Sequence, residues 1–168
     1  MSETIYDNNG NIIEGVLTRY YEEGKVLSEI PYKNGKINGV VIEYYYEGMV
    51  SSKSEYVDGV LNGITLIYYP SGAISEEIPY RNGKINGIKK RFFENGLIAE
   101  EASYARDVLD GEAIVYNLDG SILKKKYFRK GEEIEMEDVG KVREQLEKEK
   151  EEKAKIEYLT PEELKKFI

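Results

Sequence analysis

The side chains of this 168-residue sequence that could do acid–base or nucleophilic chemistry are carboxylates, lysines, tyrosines and serines, because histidine and cysteine are both absent. Without histidine, the chain lacks the usual general base at neutral pH and the commonest metal-binding imidazole. Without cysteine, it has no thiolate nucleophile, no disulfide and no cysteine metal site. The sequence therefore favours a protein that is not an enzyme.

Two pairs of adjacent glutamates, Glu76-Glu77 and Glu100-Glu101, are the candidates for paired catalytic carboxylates. Adjacent side chains of a β-strand point to opposite faces, so neither pair is suited to act on one substrate. The short turns lack the oxygen-rich spacing of a calcium loop, and the glycines follow hairpin spacing rather than that of a phosphate-binding loop. We predict no catalytic residues, no cofactor and no metal site.

Two basic runs, Lys89-Lys90-Arg91 and Lys124-Lys125-Lys126, could approach each other across neighbouring strands and bind phosphate or an anionic lipid. Solvated strand faces that offset nearby glutamates are the alternative interpretation. The formal net charge of −8 argues against broad electrostatic binding to nucleic acid or anionic membranes, which needs clustered cations. We predict no nucleic-acid partner, and we keep membrane association as an alternative that the charge does not favour.

These side chains belong to a sequence repeat of 24 residues. Copies begin, without insertion or deletion, near Gly15, Gly39, Gly63, Gly87 and Gly111. A period in this range is typical of a repeat architecture, in which each unit contacts its neighbours. We predict a β-repeat array over residues 1–136, with residues 1–14 as an N-terminal capping strand or hairpin. Residues 137–168 form a separate charged helical segment.

Each repeat contains two short strands rich in β-branched and aromatic residues. In the first copy they are Val16–Tyr21 and a segment from about Val26 to Tyr32. Glycine turns such as Lys33-Asn34-Gly35 end the strands, because Asn-Gly tolerates the positive φ of a tight hairpin. The pattern predicts a mainly β protein, an elongated single-layer antiparallel β-meander of about five hairpin repeats.

Two features predict local departures from this meander. Pro31 and Pro79 lie inside second strands, and proline has no N–H for the ladder, so we expect a bulge or a break in pairing there. In the fourth repeat Arg106-Asp107 replaces the turn glycine, so that turn should be irregular. The segments Ile30–Gly39 and Ile78–Gly87 differ only at one basic residue, which indicates an older duplication of 48 residues.

Alternation along the strands predicts one aromatic and aliphatic face, with Thr18 and Tyr20 from a first strand and Ile30 and Tyr32 from a second. The candidate partner-binding residues on that face are Tyr20, Tyr32, Tyr44, Tyr56, Tyr68, Tyr80, Phe92, Tyr104 and Tyr116. Rings stacked along a sheet can form its core, whereas a large uncovered aromatic patch marks a partner site. A single-layer sheet allows both interpretations.

The C-terminal segment has the pattern of an isolated helix. Glu137–Tyr158 is nearly all charged, with Glu and Lys four residues apart, as in Glu144/Lys148. Thr160-Pro161-Glu162-Glu163 then has the residues of a second helix start. In that short helix the candidate docking tip consists of Leu164, Phe167 and Ile168. A homodimer could form through the sheet edges or through the C-terminal helix.

The recurring pattern of an aromatic pair, a turn glycine, another aromatic and Asn-Gly resembles the MORN repeat in its bacterial variant form. Representative segments are Tyr44-Tyr45-Tyr46-Glu47-Gly48, Tyr56-Val57-Asp58-Gly59 and Leu61-Asn62-Gly63. The resemblance covers about Gly15–Gly131 and implies an elongated single-layer sheet with an aromatic-lined groove. Arrays of that family mostly act as interaction scaffolds. Bacterial members include proteins described as YwqK-type antitoxins, and eukaryotic members were first linked to membranes.

We therefore expect a non-enzymatic scaffold that presents an aromatic-lined sheet face to another protein, in an antitoxin- or immunity-like role. The alternatives are an anionic-lipid-binding module and a carbohydrate-binding or carbohydrate-active protein that uses tyrosine platforms and carboxylates. No run of about eighteen apolar residues exists. The N-terminus, MSETIYDNNG, lacks the basic and apolar regions of a signal peptide. On that basis we expect a cytoplasmic location.

Overall fold

A computed structural model describes residues 4–157 of the chain. Within that range, fourteen strands belong to one sheet and are followed by a helix. The strands are β1 (Ile5–Tyr6), β2 (Ile12–Tyr20), β3 (Val26–Lys33), β4 (Lys36–Ile37), β5 (Gly39–Tyr44), β6 (Val50–Val57), β7 (Val60–Tyr68), β8 (Ile74–Arg81), β9 (Lys84–Ile85), β10 (Gly87–Phe92), β11 (Ile98–Ala105), β12 (Val108–Tyr116), β13 (Ile122–Arg129) and β14 (Glu132–Ile134). The helix is α1 (Met136–Glu157).

The strands are hydrogen-bonded in chain order, from β1 at one edge of the sheet to β14 at the other. The short strands β4 and β9 pair with β3 and β8, respectively. Neighbouring strands joined by tight turns can only be antiparallel, so the chain forms one open antiparallel sheet, as the repeat pattern predicts. Strands β1 and β2 pair antiparallel at the N-terminal edge of the sheet.

Beside the turn that follows the aromatic pair, the second strand of each hairpin has one residue more than the first. In the first repeat the Tyr21 N–H donates to the Lys25 carbonyl at 2.8 Å, and the Gly24 N–H donates to the Tyr21 carbonyl at 2.9 Å. Gly24 has φ +79°, which favours glycine. The β2–β3 register shifts between Arg19 and Tyr20. This is a β-bulge, and it changes which residues of the two strands share a face.

The other turns have two residues with positive φ, as in Asn34 (51°) and Gly35 (74°). The second residue donates its N–H to a carbonyl of the preceding repeat, as in Gly35 to Ile13 at 2.9 Å. Arg106 (53°) and Asp107 (72°) have the same geometry, so the prediction of an irregular fourth turn is wrong.

Asp107 replaces the missing glycine through hydrogen bonds to the neighbouring repeat. Its N–H donates to the Ile85 carbonyl at 2.9 Å, as the glycines do in the other turns. In addition, the Ile85 N–H donates to Asp107 Oδ1 at 2.7 Å. Asp is one of the few residues that adopt the left-handed region readily. The two hydrogen bonds with Ile85 therefore stabilise the turn although glycine is absent.

The two prolines interrupt pairing on one side of their strands, as predicted. Beside Pro31 the next strand is divided into β4 and β5 at Asn38, whose N–H donates to the Pro31 carbonyl at 3.0 Å. Asn86 and Pro79 repeat this arrangement at 2.9 Å. The corresponding strands β7 and β12 follow β6 and β11, which contain no proline, and they are continuous. The missing N–H of proline explains the difference.

Few of the described side chains are deeply buried. None has an exposed fraction below 2%, and the least exposed strand residues are Ser28, Ile30, Thr65, Ile78, Ala99 and Ile114, at 4–9%. A sheet of this kind is stabilised mainly by contacts between neighbouring repeats.

The chain divides into two compact units, Met1–Glu132 and Glu133–Ile168. The second unit contains α1, which confirms a helix over the described part of the predicted charged segment. Glu144 and Lys148 form the expected ion pair, at 2.9 Å. No helix among the described residues is long and apolar enough to cross a membrane. The predicted docking tip, Leu164, Phe167 and Ile168, lies outside the described residues.

Candidate functional site

The register assigns each strand residue to one of two sheet faces, because Cα partners in antiparallel strands point to the same side. Thr18 pairs with Glu29, and Glu29 pairs with Ile42, so these three share a face. Val16 lies in phase with Thr18 on β2. We call this side the aliphatic face, defined by the residues that follow the repeat glycines and those in phase with them. The defining residues are Val16, Val40, Ile64 and Ile88.

The nine predicted aromatic residues are divided between the two faces. Those on the aliphatic face are Tyr20, Tyr44, Tyr68, Phe92 and Tyr116. Those on the opposite face are Tyr32, Tyr56, Tyr80 and Tyr104. The prediction that all nine share one face is wrong. The bulge beside Tyr20 shifts the second strand by one residue relative to an unbulged hairpin, and a shift of one residue moves every side chain to the other face.

On the opposite face each ring is paired with a glycine, so we call it the glycine face. The pairs are Tyr32–Gly15, Tyr56–Gly39, Tyr80–Gly63, Tyr104–Gly87 and Phe128–Gly111. Phe128 was missed in the sequence, although it lies one repeat length after Tyr104. The buried residues Ile30 and Ile78 belong to this face. These contacts support packing within the sheet as the role of the rings on the glycine face.

On the aliphatic face, two tyrosines bind carboxylates of the neighbouring strand. The Tyr44 hydroxyl donates to Glu29 Oε2 at 2.9 Å, and the Tyr116 hydroxyl donates to Glu101 Oε1 at 2.5 Å. Desolvation and then the bond to Glu29 raise the pKa of Tyr44. The bond to Glu101 is the first cause of the raised pKa of Tyr116. Tyr20 is 58% exposed. This row is therefore partly held by the sheet and partly open.

A row of exposed aliphatic side chains lies beside these rings. Seven residues of the aliphatic face are each 42–49% exposed: Val16, Val40, Val57, Val60, Ile64, Ile88 and Val108. The alternation that predicts an apolar face includes Val16, Val40 and Ile64 of the first strands, but none of the seven is among the predicted site residues. The signal was present, because a β-branched residue follows the repeat glycine in four successive copies.

Two of the repeats identify the family. A family model described as "MORN repeat variant" matches residues 13–34 and 61–82, which contain the first and third hairpins. The chain is a MORN repeat protein. No curated protein matches it.

Among solved structures, this MORN repeat protein is similar to a chain in the crystal structure of accessory secretory protein 1, 2 and 3 in Streptococcus pneumoniae. The identity is 15% and the TM-score is 0.24. The aligned region covers 76% of this chain and 18% of that chain. A similarity of this size supports no inference about fold or function.

Successive MORN repeats are joined by a ladder of tyrosine hydroxyls. The hydroxyl groups of Tyr21, Tyr45 and Tyr69 donate to the carbonyls of Tyr44, Tyr68 and Phe92, at 2.8, 2.5 and 2.7 Å. Each bond reaches into the next repeat at the same position. The ladder ends at Phe93, which has no hydroxyl. In the first three repeats the second aromatic of the pair is therefore a structural link of the MORN array.

The basic runs do not form a joint site in this array. Strands β10 and β13, which contain them, are separated by β11 and β12, so the prediction that they approach each other is wrong. Lys89 and Lys90 pair with Glu76 and Glu77 at 2.8 and 3.8 Å. Lys125 pairs with Glu112 at 3.0 Å. These ion pairs confirm the alternative interpretation, in which cations on the strand faces offset nearby glutamates.

The adjacent glutamates of β8 point to opposite faces, as the sequence indicates. Glu77 is the Cα partner of Lys90 on the aliphatic face, and Glu76 is the Cα partner of Arg91 on the glycine face. Each of the two carboxylates forms an ion pair with a lysine, and the two carboxylates do not converge on one point. Within this pair, therefore, the sheet does not bring two carboxylates to one substrate.

Proposed function

We propose that this MORN repeat protein is a non-enzymatic scaffold that binds another protein on its aliphatic face. The proposal is supported by one observation above all, the seven aliphatic side chains of that face that are nearly half exposed. Single exposed apolar residues are ordinary, but a row of them at the spacing of the repeats concentrates exposed apolar surface on one face. Proteins use such surfaces to bind partners.

The charges of the aliphatic face favour a protein partner over a membrane. One row of charged side chains along the sheet axis alternates in sign, in the order Glu29, Lys53, Glu77, Lys90, Glu101 and Lys125. A protein surface can match alternating charges, whereas the net charge of −8 disfavours binding of the chain to an anionic bilayer. We therefore do not propose a lipid-binding function.

More specifically, we propose an antitoxin- or immunity-like role, in which the partner is a toxin. It is supported by the resemblance of the repeats to the bacterial variant form. A cytoplasmic location is likewise a proposal, in keeping with the acidic composition. The identity of the captured partner would test both.

Affinity capture from the native cell tests the function. The baits are the wild type, the double variant Ile64→Ser/Ile88→Ser, and the control Leu97→Ser/Leu118→Ser, which removes exposed apolar side chains from turns instead. We expect one protein to be retained by the wild type and the control and lost by the Ile64/Ile88 variant. Circular dichroism checks that all three baits are folded.

Equal recovery of that protein by all three folded baits would reject the aliphatic face as the binding surface. Sedimentation with anionic vesicles is the parallel measurement. Binding to vesicles by the wild type, lost in the Ile64/Ile88 variant, would support a membrane function in place of the one proposed.

A further inference from the structure

A cleft of about 460 Å³ opens beside the two-residue turns of the third and fourth repeats. Its lining residues are Arg81, Asn82, Lys84, Asn86 and Arg106. Arg81 and Lys84 are Cα partners, and they lie in phase with the aliphatic face. Within the described residues, none of the three cationic side chains forms an ion pair. We call this the Arg106 cleft.

The duplication of 48 residues supplies an internal comparison. Lys33, Lys36 and Asn38 correspond to Arg81, Lys84 and Asn86, but Asp58 occupies the position of Arg106. In the first repeat, Asn38 Nδ2 donates to Asp58 Oδ1 at 3.2 Å. There the chain supplies a carboxylate at this turn position. In the Arg106 cleft the same position is a third cation, and the carboxylate of the adjacent Asp107 accepts from the Ile85 N–H without forming an ion pair with the three cations.

Arg106 has a backbone conformation that arginine disfavours. Its φ is +53°, in the left-handed region, where the corresponding residues of the first three repeats are Asn34, Asp58 and Asn82. Asn and Asp tolerate that region, whereas a long side chain such as Arg adopts it at a cost. Strain of this kind is concentrated at functional positions. The cation at the rim of the cleft therefore occupies a strained turn position, as Lys130 (φ +51°) does at the equivalent position of the fifth repeat.

Apolar side chains flank the three cations. Val60 Cγ1 lies 3.4 Å from the point that a Cβ on Gly83 would occupy, beside the turn that contains Asn82. Val108 directly follows the Arg106-Asp107 turn. Both valines belong to the exposed row of the aliphatic face. The site thus combines guanidinium groups, which bind carboxylates in a bidentate manner, with apolar surface on either side.

We propose that the Arg106 cleft binds an acidic side chain of the partner protein, with neighbouring apolar side chains of the same segment packed on Val60 and Val108. This inference rests on the proposed function and names the chemistry that the partner presents. A carboxylate within an apolar segment fits both parts of the site. A lipid headgroup or a free phosphate would use only the cations, and an anionic membrane would be repelled by the net charge of −8.

Nuclear magnetic resonance titration of the full chain tests the cleft directly. The probe is a blocked synthetic peptide, Ser-Val-Glu-Glu-Val-Ser, and the matched control peptide has Gln in place of both Glu residues. We expect saturable shifts of the Val60 and Val108 methyl groups and of the Arg106 amide with the Glu peptide. The Gln peptide should bind about tenfold more weakly or worse, because it leaves the cations unpaired.

Two variants use the duplication as a control. Arg106→Asp copies the first repeat into the cleft and should weaken binding of the Glu peptide by about tenfold or more, without unfolding the turn, since Asp58 adopts the same φ. Asp58→Arg should create a second site, with new shifts near Lys33 and Lys36.

Three outcomes would overturn the inference: no saturable shift at these residues, equal binding of the Glu and Gln peptides, or binding unchanged by Arg106→Asp. Inorganic phosphate and vesicles containing phosphatidylserine are run in parallel. Arg106-dependent binding to either one, without binding of the Glu peptide, would also overturn it. Loss of the partner from the Ile64→Ser/Ile88→Ser bait, together with a negative peptide titration, would reject the cleft and leave the scaffold function standing.

Discussion

At the scale of single residues, the tyrosine hydroxyl ladder explains why aromatic pairs recur in the repeats. In the first three repeats one ring of the pair lies on the aliphatic face, and the other donates its hydroxyl to the next repeat. Such a bond contributes stability because both of its groups are partly removed from water. The two aromatic positions that look alike in the sequence therefore have different roles.

The ladder predicts opposite effects for two matched substitutions. Tyr69→Phe removes the bond to the Phe92 carbonyl and should lower the free energy of unfolding by about 0.5–1.5 kcal/mol. Phe93→Tyr places a hydroxyl at the next position of the ladder, within reach of the Tyr116 carbonyl, and should raise it by a similar or smaller amount. Urea denaturation measures both. Two neutral substitutions would contradict a stabilising role for the ladder.

The N-terminal turn depends on the ionised form of Asp7. Its carboxylate accepts hydrogen bonds from Asn11 Nδ2 at 3.0 Å and from the N–H groups of Asn9 and Asn11, both at 2.8 Å. The Asn11 side chain is the first cause of the lowered pKa of Asp7. A lowered folded-state pKa means that the stabilisation is present above the unfolded-state pKa, near 3.9. It is lost as the pH falls through the folded-state pKa.

We therefore expect the capping hairpin to loosen only in acid. Carboxyl NMR titration should give Asp7 a pKa below the usual value for aspartate, and Asn11→Ala should return that pKa toward it. Amide exchange of Asn9 and Asn11 should accelerate over the same pH range. An Asp7 pKa at the usual value in the wild type would contradict these contacts.

At the scale of the strands and turns, glycines of positive φ have two different roles. Gly111 (+123°) lies in a strand, and a Cβ there would be 2.8 Å from Ser103 Cβ. Gly120 (+83°) lies in a turn, and a Cβ there would meet nothing within 4 Å. A side chain at position 111 would meet both an unfavourable φ and a steric clash, whereas at position 120 it would meet only the unfavourable φ.

We expect Gly111→Ala to lower the free energy of unfolding by about 2 kcal/mol or more, since it adds a clash with the Ser103 side chain to the conformational cost. Gly120→Ala should cost about 1 kcal/mol, the conformational part alone. Thermal or urea denaturation compares the two variants. Equal costs would show that close approach of neighbouring strands at Gly111 contributes nothing.

The fourth two-residue turn should be relieved by a residue that suits its backbone. Arg106→Asn is expected to raise the free energy of unfolding by about 0.5–1 kcal/mol, because Asn adopts positive φ more readily. Asp107→Ala is the contrasting change, and it should destabilise the turn by removing the bond to the Ile85 N–H. If Arg106→Asn is destabilising, the arginine is held by contacts and not strained.

The sequence predicts these elements well and their faces poorly. The repeat period, the strand composition and the missing proline N–H determine the strands and the divisions at Asn38 and Asn86. The relative phase of two strands depends on a single bulged residue beside Tyr20, and nothing in the alternation pattern of either strand records it. For that reason Tyr20 and Tyr32 were assigned to one face, although they lie on opposite faces.

At the scale of the whole molecule, the MORN array has two unlike faces. The glycine face pairs rings with glycines and contains buried residues such as Ile30 and Ile78. The aliphatic face has the exposed row and the alternating charges.

The candidate site could be predicted only in part, since the apolar row is visible in the sequence but its exposure depends on which strands lie beside it. The Arg106 cleft could not be predicted, because it requires turns of two repeats to be neighbours.

Site-specific photocrosslinking in the native cell tests most directly whether a partner protein binds the aliphatic face. A photoreactive amino acid replaces either Ile88, on the aliphatic face, or its neighbour Lys89, which points to the glycine face. The two positions are adjacent in the chain, so expression and folding are closely matched. We expect a crosslink to one protein partner from position 88 and none from position 89. A crosslink to the partner from position 89 alone, or equally from both positions, would contradict this expectation.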